Sequence, residues 1–522
     1  VRNFKILDKF DLTLNPDLNI LVGDNEAGKS TIIEAVELVL TKKLRGRSIE
    51  HELSPFLFNK ACADAFLKNI NGGTKSAPPV ISIEVFLKPT TELASLKGKN
   101  NSKKEDAVGI RLEIAFDPDF KAEYEKMLED KTPKQVIPTE YYRVSWLGFS
   151  GNAITARSLA LEVFSIDAST VRLQSGTDQY VQSVISSTLA PKERVALSVA
   201  YRKLREVFSE EAAIKAINAK IKTGTLSSKP LTIGLDVSQK SQWENNLIPH
   251  LDSLPFQLSG KGEQTALKIM LALERKATDS DVVLIEEPEN HQSFSTMHQL
   301  ISNISAKCRD KQIIITTHSA YVLNKLGIEK VQFLHQNQIT SLAKLPADTR
   351  EYFQKLSGYD TLRLILAKRA ILVEGPSDEL IVQRAFLDKH GTLPIERGVD
   401  VINVRGLSFA RFLDIAAQLN KPVDVVTDND GNHKVNVVDR YSRYASATTR
   451  IHADTDDQFT TLEPQLVKHA GRTVLNAVLG TSHVDDDSLI TAMKADKTGS
   501  ALRIFQAPTK IQFPTYILDA VG

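Results

Sequence analysis

Cysteine is scarce: 522 residues contain two, Cys62 and Cys308. Two cysteines cannot build a disulfide framework or a cysteine zinc site, and a reducing compartment, the cytoplasm, is expected. Long hydrophobic runs are also missing. No stretch approaches 18 consecutive apolar residues, so no spanning helix and no membrane partner are expected. The first residues, from Val1 on, read as strand rather than as a basic segment leading into an apolar one, so no secretory leader is expected. Charge of one sign is lacking as well: 65 Lys and Arg face 64 Asp and Glu, for a net charge of +1. Nucleic-acid binders often carry a basic excess, because phosphate contacts release counterions. Any DNA footprint here must therefore be local, and residues 341–522, with 22 basic and 23 acidic side chains, are no more basic than the whole.

What is present is an ordinary globular composition, 42% apolar and 25% charged, which excludes disorder and collagen-like repeats. At about 150 residues per domain the length allows three to four domains. Phe4, Ile6 and Leu7, then Phe10, Leu12 and Leu14, predict two short strands joined at Asp8-Lys9. Residues 19–22, 81–87 and 110–116 predict further strands, with a polar loop over 97–106. Residues 190–222 predict one long helix, with Val195, Val199, Leu204, Val207 and Phe208 at helical spacing, ended by the Gly and Ser of 223–228. Trp146 and Trp243 are expected in the core, and His452, Asp454 and Asp485–Asp487 in solvated loops.

Gly23-Asp-Asn-Glu-Ala-Gly28-Lys29-Ser30 follows a short strand and precedes a helix whose apolar face carries Ile32, Ile33, Val36, Val39 and Leu40. This G-x-x-x-x-G-K-[ST] pattern lets backbone N–H groups approach a phosphate closely; Lys29 reaches the β and γ phosphates and Ser30 holds Mg²⁺. Gly23, Asn25, Gly28 and Thr31 complete the expected ATP loop. Val282–Ile285, ending in Glu286-Glu287-Pro288, has the form of a strand that delivers Glu286 to Mg²⁺ and Glu287 to the attacking water. Residues 313–317 form another apolar strand, ending in His318, a candidate γ-phosphate contact. Leu258-Ser259-Gly260-Lys261-Gly262-Glu263-Gln264 leads into a helix expected from Thr265 to about Lys276, with Ser259 able to cap it.

This set resembles the ABC-type ATPases of recombination and repair, in which the signature serine and glycine, here Ser259 and Gly260, act across a dimer on the partner's nucleotide. Two features depart from that pattern. Glu286 stands where an Asp is usual, and no Gln occurs between the loop and Gln135.

A second constellation follows. Ala370–Val373 runs into Glu374-Gly375-Pro376-Ser377-Asp378, and Val423–Thr427 into Asp428-Asn429-Asp430-Gly431. Each acidic group follows an apolar strand, and in a parallel sheet such ends share one edge, where ligands gather. Carboxylates collected there repel unless a cation neutralises them, and hard oxygen donors suit Mg²⁺ or Mn²⁺.

The pattern resembles the Toprim domain. An ABC-type ATPase followed by Toprim is similar to the OLD (overcoming lysogenization defect) family of nucleases, which includes the nuclease subunit of the Gabija anti-phage system and some retron effectors. The resemblance implies an α/β fold. It divides the chain into ATPase segments 1–154 and 226–345, a helical dimerisation insert at 155–225, and a Toprim nuclease domain at 346–522. It adds Glu463 to the metal set of Glu374, Asp378, Asp428 and Asp430, and a late lysine, Lys497 or Lys494, for the phosphate. It implies DNA as substrate, a homodimer or larger homo-oligomer, and a defence partner: a helicase subunit, or a reverse transcriptase with its noncoding RNA. It also implies that bound ATP restrains the nuclease. Two other readings stand beside it. One is an SMC- or RecF-like repair ATPase whose Toprim fold is structural or binds DNA without cutting. The other is a topoisomerase or primase, disfavoured because only about 90 residues follow Asp430 to supply a nucleophilic tyrosine domain.

Overall fold

The computed structural model describes residues 1–130, 132–155, 159–167, 173–174, 177–178, 189–221, 233, 250–271, 281–290, 293–307, 311–356, 360–406 and 408–522. Cys308, Trp243, the 223–228 tract and residues 272–276 of the expected signature helix lie outside them. The chain forms two compact units, residues 1–158 with 316–522, and residues 159–315. Among the described residues no helix is long and apolar enough to cross a membrane.

The first unit contains three sheets that matter here. An antiparallel sheet orders Leu7–Lys9, Arg2–Phe4, Ile81–Phe86 and Ala107–Phe116, with Tyr142–Gly148 paired to the last. Its opening hairpin turns at Lys5-Ile6, not at Asp8-Lys9. Lys5 takes a left-handed backbone (φ 50°) and its N–H is held by the Leu57 carbonyl, which brings Phe4 opposite Leu7. Phe10 is buried but belongs to no strand. Trp146 is core, and its indole N–H donates to the Val39 carbonyl at 2.8 Å. The second group pairs Leu18–Gly23 in parallel with Val331–His335, which turns back as Gln338–Ser341.

The third sheet is all parallel, in the order Val399–Asn403, Arg369–Val373, Val423–Val426, Thr449–His452. Helices Pro376–His390 and Phe409–Leu419 make the crossovers between its first three strands in sequence. The strands are apolar because both faces are covered. One face packs into a core that includes Leu372, Ile402, Phe409, Phe412 and Val425, and the same core takes in Ile20, Val22, Val331 and Phe333 of the phosphate-loop strands. The other face packs on the C-terminal helices through Val373, Ile381, Leu466, Leu489 and Ile517. On that face Asp424 is fully buried. Burial pushes its carboxyl up, but hydrogen bonds from His452 and Arg450 and the field of Arg369 hold it below its ordinary value. His452 is thus a strand residue bound to Asp424 at 2.8 Å, not a solvated loop residue; the pairing runs between neighbouring strands and is invisible in sequence. Asp485, by contrast, caps the helix Asp486–Ala495.

In the second unit, Val163–Asp167 pairs in parallel with Val282–Glu286, and Gln312–Thr316 is next in order. The helical stretch is two helices, Pro191–Glu210 and Ala212–Lys220, because Glu211 adopts an extended ψ of 135°. Its apolar stripe faces outward: Val195, Leu204 and Val207 are 63%, 66% and 58% exposed.

The shared core predicts a joint response to a cavity. Phe353 is fully buried in it, edge-on to Phe412 at 5.3 Å. Phe353→Ala should cost about 3–5 kcal/mol. Hydrogen exchange should then speed up in Leu18–Gly23 and Arg369–Val373 together. Loss of protection in one strand alone would show that the two share no cooperative core.

Candidate functional site

The phosphate-loop strand ends where it meets its neighbour. Register places Gly23 opposite Leu334, and a Cβ at Gly23 would lie 2.4 Å from the Leu334 carbonyl oxygen, so only glycine fits. Gly28 opens the helix Lys29–Thr41 with φ 103°. That helix has no side-chain cap and no acid in its first turn, which leaves its positive end available to an anion. Lys29 is buried, and its Nζ donates to the carbonyls of Gly23 at 2.9 Å and Asp24 at 3.0 Å, folding the ammonium over the loop. Asn25 and Ser30 are exposed and Thr31 half-buried. His318 is exposed one residue beyond Thr317, whose N–H donates to Leu21 of the loop strand at 3.4 Å. His335 was not foreseen. It ends the neighbouring strand with its Nδ1 3.6 Å from Asp24.

Within residues 159–315, Glu286 ends a buried strand and is half-buried. Glu287 has a φ of 45°, unusual for a side-chain-bearing residue, and its Oε2 accepts from Asn290 at 2.7 Å. Such a backbone costs about 1–3 kcal/mol and is found where a side chain must be aimed. Ser259 Oγ donates to the Phe256 carbonyl at 2.7 Å, and buried Gln264 donates to the Ser259 carbonyl at 2.8 Å. The signature helix starts at Lys261, and a Cβ on Gly260 would meet open space.

The Toprim-type acids gather for a topological reason. The strand before Glu374 and the strand before Asp428 are parallel neighbours, with Val373 opposite Val426. Strand order reverses about Arg369–Val373, the place where open parallel sheets bind ligands. Glu374 Oε1 accepts from Thr427 Oγ1 at 2.6 Å and from the Asp428 N–H at 3.0 Å. Asp378 lies in the first turn of the helix after Glu374 and accepts from the Gly375 N–H at 3.1 Å. Asp430 takes a φ of 49° ahead of Gly431 at 77°, which turns the chain sharply after the strand. Glu463 is buried in the first turn of Leu462–Ala470 and accepts from Thr461 Oγ1 at 3.1 Å. Lys497 Nζ stands 3.4 Å from Glu463 Oε1. Lys494 makes no salt bridge among the described residues.

These groups share one electric field. Burial, then the charges of Asp378, Glu374, Glu463 and Asp430, pushes the Asp428 carboxyl up to about 8. Asp378 is half-exposed by area yet lies deep in the protein; burial and then Glu374 push it up to about 7. The buried Tyr516 hydroxyl is raised well above its ordinary value by burial and by the same acids. Among the described residues, however, no three His, Cys, Asp or Glu side chains converge on one ligating point. The carboxylates nonetheless lie close enough for the charges of Asp378, Glu374, Glu463 and Asp430 to act on Asp428. The donor chemistry, all carboxylate oxygen with a single lysine, fits a hard divalent cation.

Sequence reasoning missed the groups that hold the acids. Thr427 lies between strand and acid, and Asn429 between the two aspartates. Asn429, Gln465 and Tyr516 are buried and hydrogen-bonded around the acidic turn. A polar residue inside D-x-D was the one available signal.

Comparison with known proteins agrees with this division. Residues 18–324 match the AAA_21 family, described as "AAA domain, putative AbiEii toxin, Type IV TA system". Residues 365–430 match the family of the overcoming lysogenization defect protein-like TOPRIM domain. Among curated proteins, the DNA replication and repair protein RecF of Streptococcus uberis is 27% identical over 120 residues, 23% of this chain and 31% of that protein. RecF of Lactococcus lactis is 24% identical over 119 residues, again 31% of its length. The chain thus spans under a third of the curated relatives it matches. Among solved structures, the C-terminal region of the Xanthomonas campestris OLD protein is 19% identical, with a TM-score of 0.25 over 30% of this chain and 92% of that one. The Thermotoga maritima SMC head domain is 12% identical, with a TM-score of 0.28 over 64% of this chain and 91% of that one. Because the larger family match covers more than half of its length, the chain belongs to the AAA_21 family of ATPases, and it joins to that ATPase an OLD-like TOPRIM domain.

Proposed function

We propose that the protein is an ATP-regulated, divalent-metal-dependent DNA endonuclease of an anti-phage defence system. The supporting observation is the common field of Glu374, Asp378, Asp428, Asp430 and Glu463 at the carboxyl edge of the parallel sheet. Glu374, Asp378, Asp428, Asp430 and Glu463 would hold Mg²⁺ or Mn²⁺, which when bound would supply an activated water and stabilisation of the leaving oxygen. Glu374 and Asp378 serve one side of the site, Asp428 and Asp430 its centre, and Glu463 the outer side. Lys497 neutralises charge on the attacked phosphate. The alternative, a repair ATPase whose Toprim fold does not cut, draws on the partial RecF likeness and leaves the raised Asp378 and Asp428 without a purpose.

In this reading the loop Gly23–Thr31 binds ATP, Ser30 and Glu286 order its Mg²⁺, Glu287 acts on water and His318 meets the γ-phosphate. Ser259 and Gly260 act on a partner copy's nucleotide. The exposed Val195, Leu204 and Val207 stripe belongs to a dimerisation insert at 155–225. The core common to the phosphate-loop strands and the Toprim sheet supplies a physical path from nucleotide to nuclease. A helicase subunit, or a reverse transcriptase with its RNA, is the proposed partner in defence.

Four outcomes test this. Plasmid DNA with Mg²⁺ or Mn²⁺ should be cut by the wild-type chain and not by Glu374→Ala; equal cutting by both would remove the nuclease assignment. Lys29→Ala should lose ATP binding, and Glu287→Gln should bind ATP without turning it over. With Glu287→Gln, cleavage should fall as ATP rises, by roughly 5–150-fold for a typical coupling of about 1–3 kcal/mol. A flat curve would mean independent sites, and a rising one the opposite sign. Light scattering should show at least a dimer, and Leu204→Glu with Val207→Glu should shift it toward monomer. A wild-type monomer at micromolar concentration, with and without ATP, would exclude the insert as an interface.

A further inference from the structure

Asn429 stands between Asp428 and Asp430, yet it points away from the solvent that reaches Asp430. Its side chain is fully buried. The two N–H groups of its Nδ2 reach three carbonyl oxygens, those of Asp454 at 2.9 Å, Asp456 at 3.0 Å and Phe459 at 3.3 Å, so that one hydrogen is shared between two acceptors. Its Oδ1 accepts from the Gly431 N–H at 2.9 Å. Three acceptors on one side and one donor on the other fix which end of the amide is nitrogen.

The three carbonyls belong to the segment that leads from the last strand of the sheet to Glu463. Other bonds pin the same segment. The Asp430 N–H donates to the Thr460 carbonyl at 3.2 Å, and the His433 N–H donates to Asp457 Oδ1 at 2.7 Å. Gln465, also fully buried, donates to the Phe459 carbonyl at 2.8 Å and accepts from the Tyr516 hydroxyl at 2.7 Å. Thr461, the next residue along, donates to Glu463. Asn429 is therefore in direct contact both with the turn that carries Asp428 and Asp430 and with the backbone that delivers Glu463. Those two acidic groups come from chain segments more than thirty residues apart, and they repel each other.

We propose that Asn429 is a positioning residue that sets the spacing between Asp428 with Asp430 and Glu463, and so sets the affinity of the site for a divalent cation. This rests on the metal-dependent reading of the acids given above. A neutral amide is required because the side chain must donate to three carbonyls while lying inside a field of carboxylates. Aspartate has nearly the same shape but no donor there. It would set a charged oxygen against three carbonyl oxygens and push the Glu463 segment away from the turn. Each carbonyl left without its donor is a buried polar group without a partner.

The test uses the full chain, free of metal, with Mn²⁺ as the probe. Calorimetric titration compares wild type, Glu374→Ala, Asn429→Asp and Asn429→Ala. Loss of a group that orients metal ligands typically weakens binding about 10–100-fold. Asn429→Asp is expected to show a loss of that size, and Asn429→Ala a smaller one because it adds no charge. Saturating Mn²⁺ should bring kcat of both variants back toward wild type while the half-saturating metal concentration stays raised. Hydrogen exchange without metal adds a readout independent of activity: amides of 454–461 should exchange faster in both variants, with Arg369–Val373 unchanged. Should Asn429→Asp not fold, as judged by circular dichroism, Asn429→Ala carries the test alone. Wild-type Mn²⁺ affinity in the folded Asn429 variants, with binding lost in Glu374→Ala, would overturn the positioning role and leave the nuclease reading standing. No Mn²⁺ binding by the wild type would overturn both.

Discussion

Repulsion between carboxylates at one edge of a four-stranded parallel sheet sets the terms for the C-terminal part of this protein. Two unit charges 4 Å apart at an effective dielectric of 20 repel by about 4 kcal/mol. A fold that brings five acids into one field must spend other interactions to keep them there. Much of the surrounding detail follows from that requirement. Glu374 is held by Thr427 and the Asp428 N–H, Asp378 by the Gly375 N–H, and Glu463 by Thr461 and Lys497. The remaining imbalance appears as the raised carboxyls of Asp378 and Asp428. A divalent cation bound as proposed would reverse it, because its charge favours the ionised form of its carboxylate ligands.

The nucleotide end is the electrostatic opposite. There an uncapped helix N-terminus and the buried ammonium of Lys29 assemble positive charge at the end of a strand. The two ends are not separate bodies. Ile20 and Val22 of the phosphate-loop strand share a core with Leu372 and Val425, the strands that end in the acids. Half-buried Lys421, two residues before the strand that leads to Asp428, lies 4.8 Å over the ring of Phe333, and desolvation lowers its pKa. Close-packed interiors transmit strain rather than absorb it. A shift at the Gly23–Leu334 contact, where not even a Cβ has room, has few places to go except into that core.

The sequence made the strand-end motifs legible because they are local. A run of apolar residues ending in Gly-x-x-x-x-Gly-Lys-Ser, Glu-Glu or Glu-Gly carries both its secondary structure and its chemistry in ten residues. Partners set by topology were not legible. His452 looked like a loop residue because Asp424, which binds it, lies on the neighbouring strand. The first hairpin was misjoined because its turn is fixed by the carbonyl of Leu57, some fifty residues away, and not by a Gly or Asn in the turn itself. The helix over 190–222 kept its apolar spacing, but the break at Glu211 leaves no signature in composition. Asn429 draws no attention in sequence, which shows the two aspartates beside it and not the carbonyls in front of it.

The proposed substrate, DNA, is a polyanion, whereas the chain carries a net charge of +1. A basic surface is one way to hold DNA, but a site rich in carboxylates would oppose it unless cations stand close to the acids. The segment after the Asp430 turn meets this need. Lys434–Asp439 is a π-helical stretch, a rare form often found at functional sites. Asn436 fixes it to the turn by donating to the Asn429 carbonyl at 3.0 Å and the Asp430 carbonyl at 3.4 Å. Val437 and Tyr441 are buried beneath it, while Lys434 and Arg440 are exposed and make no salt bridge among the described residues. Two cations a few residues from the acids do more for a phosphate there than many spread over a distant surface, because exposed charges are screened beyond about 8 Å at physiological salt. Net charge, averaged over 522 residues, is therefore the wrong measure for this chain. For the proposed DNA substrate the relevant quantity is the local balance around one turn, and a cation bound to the acids would shift that balance toward binding.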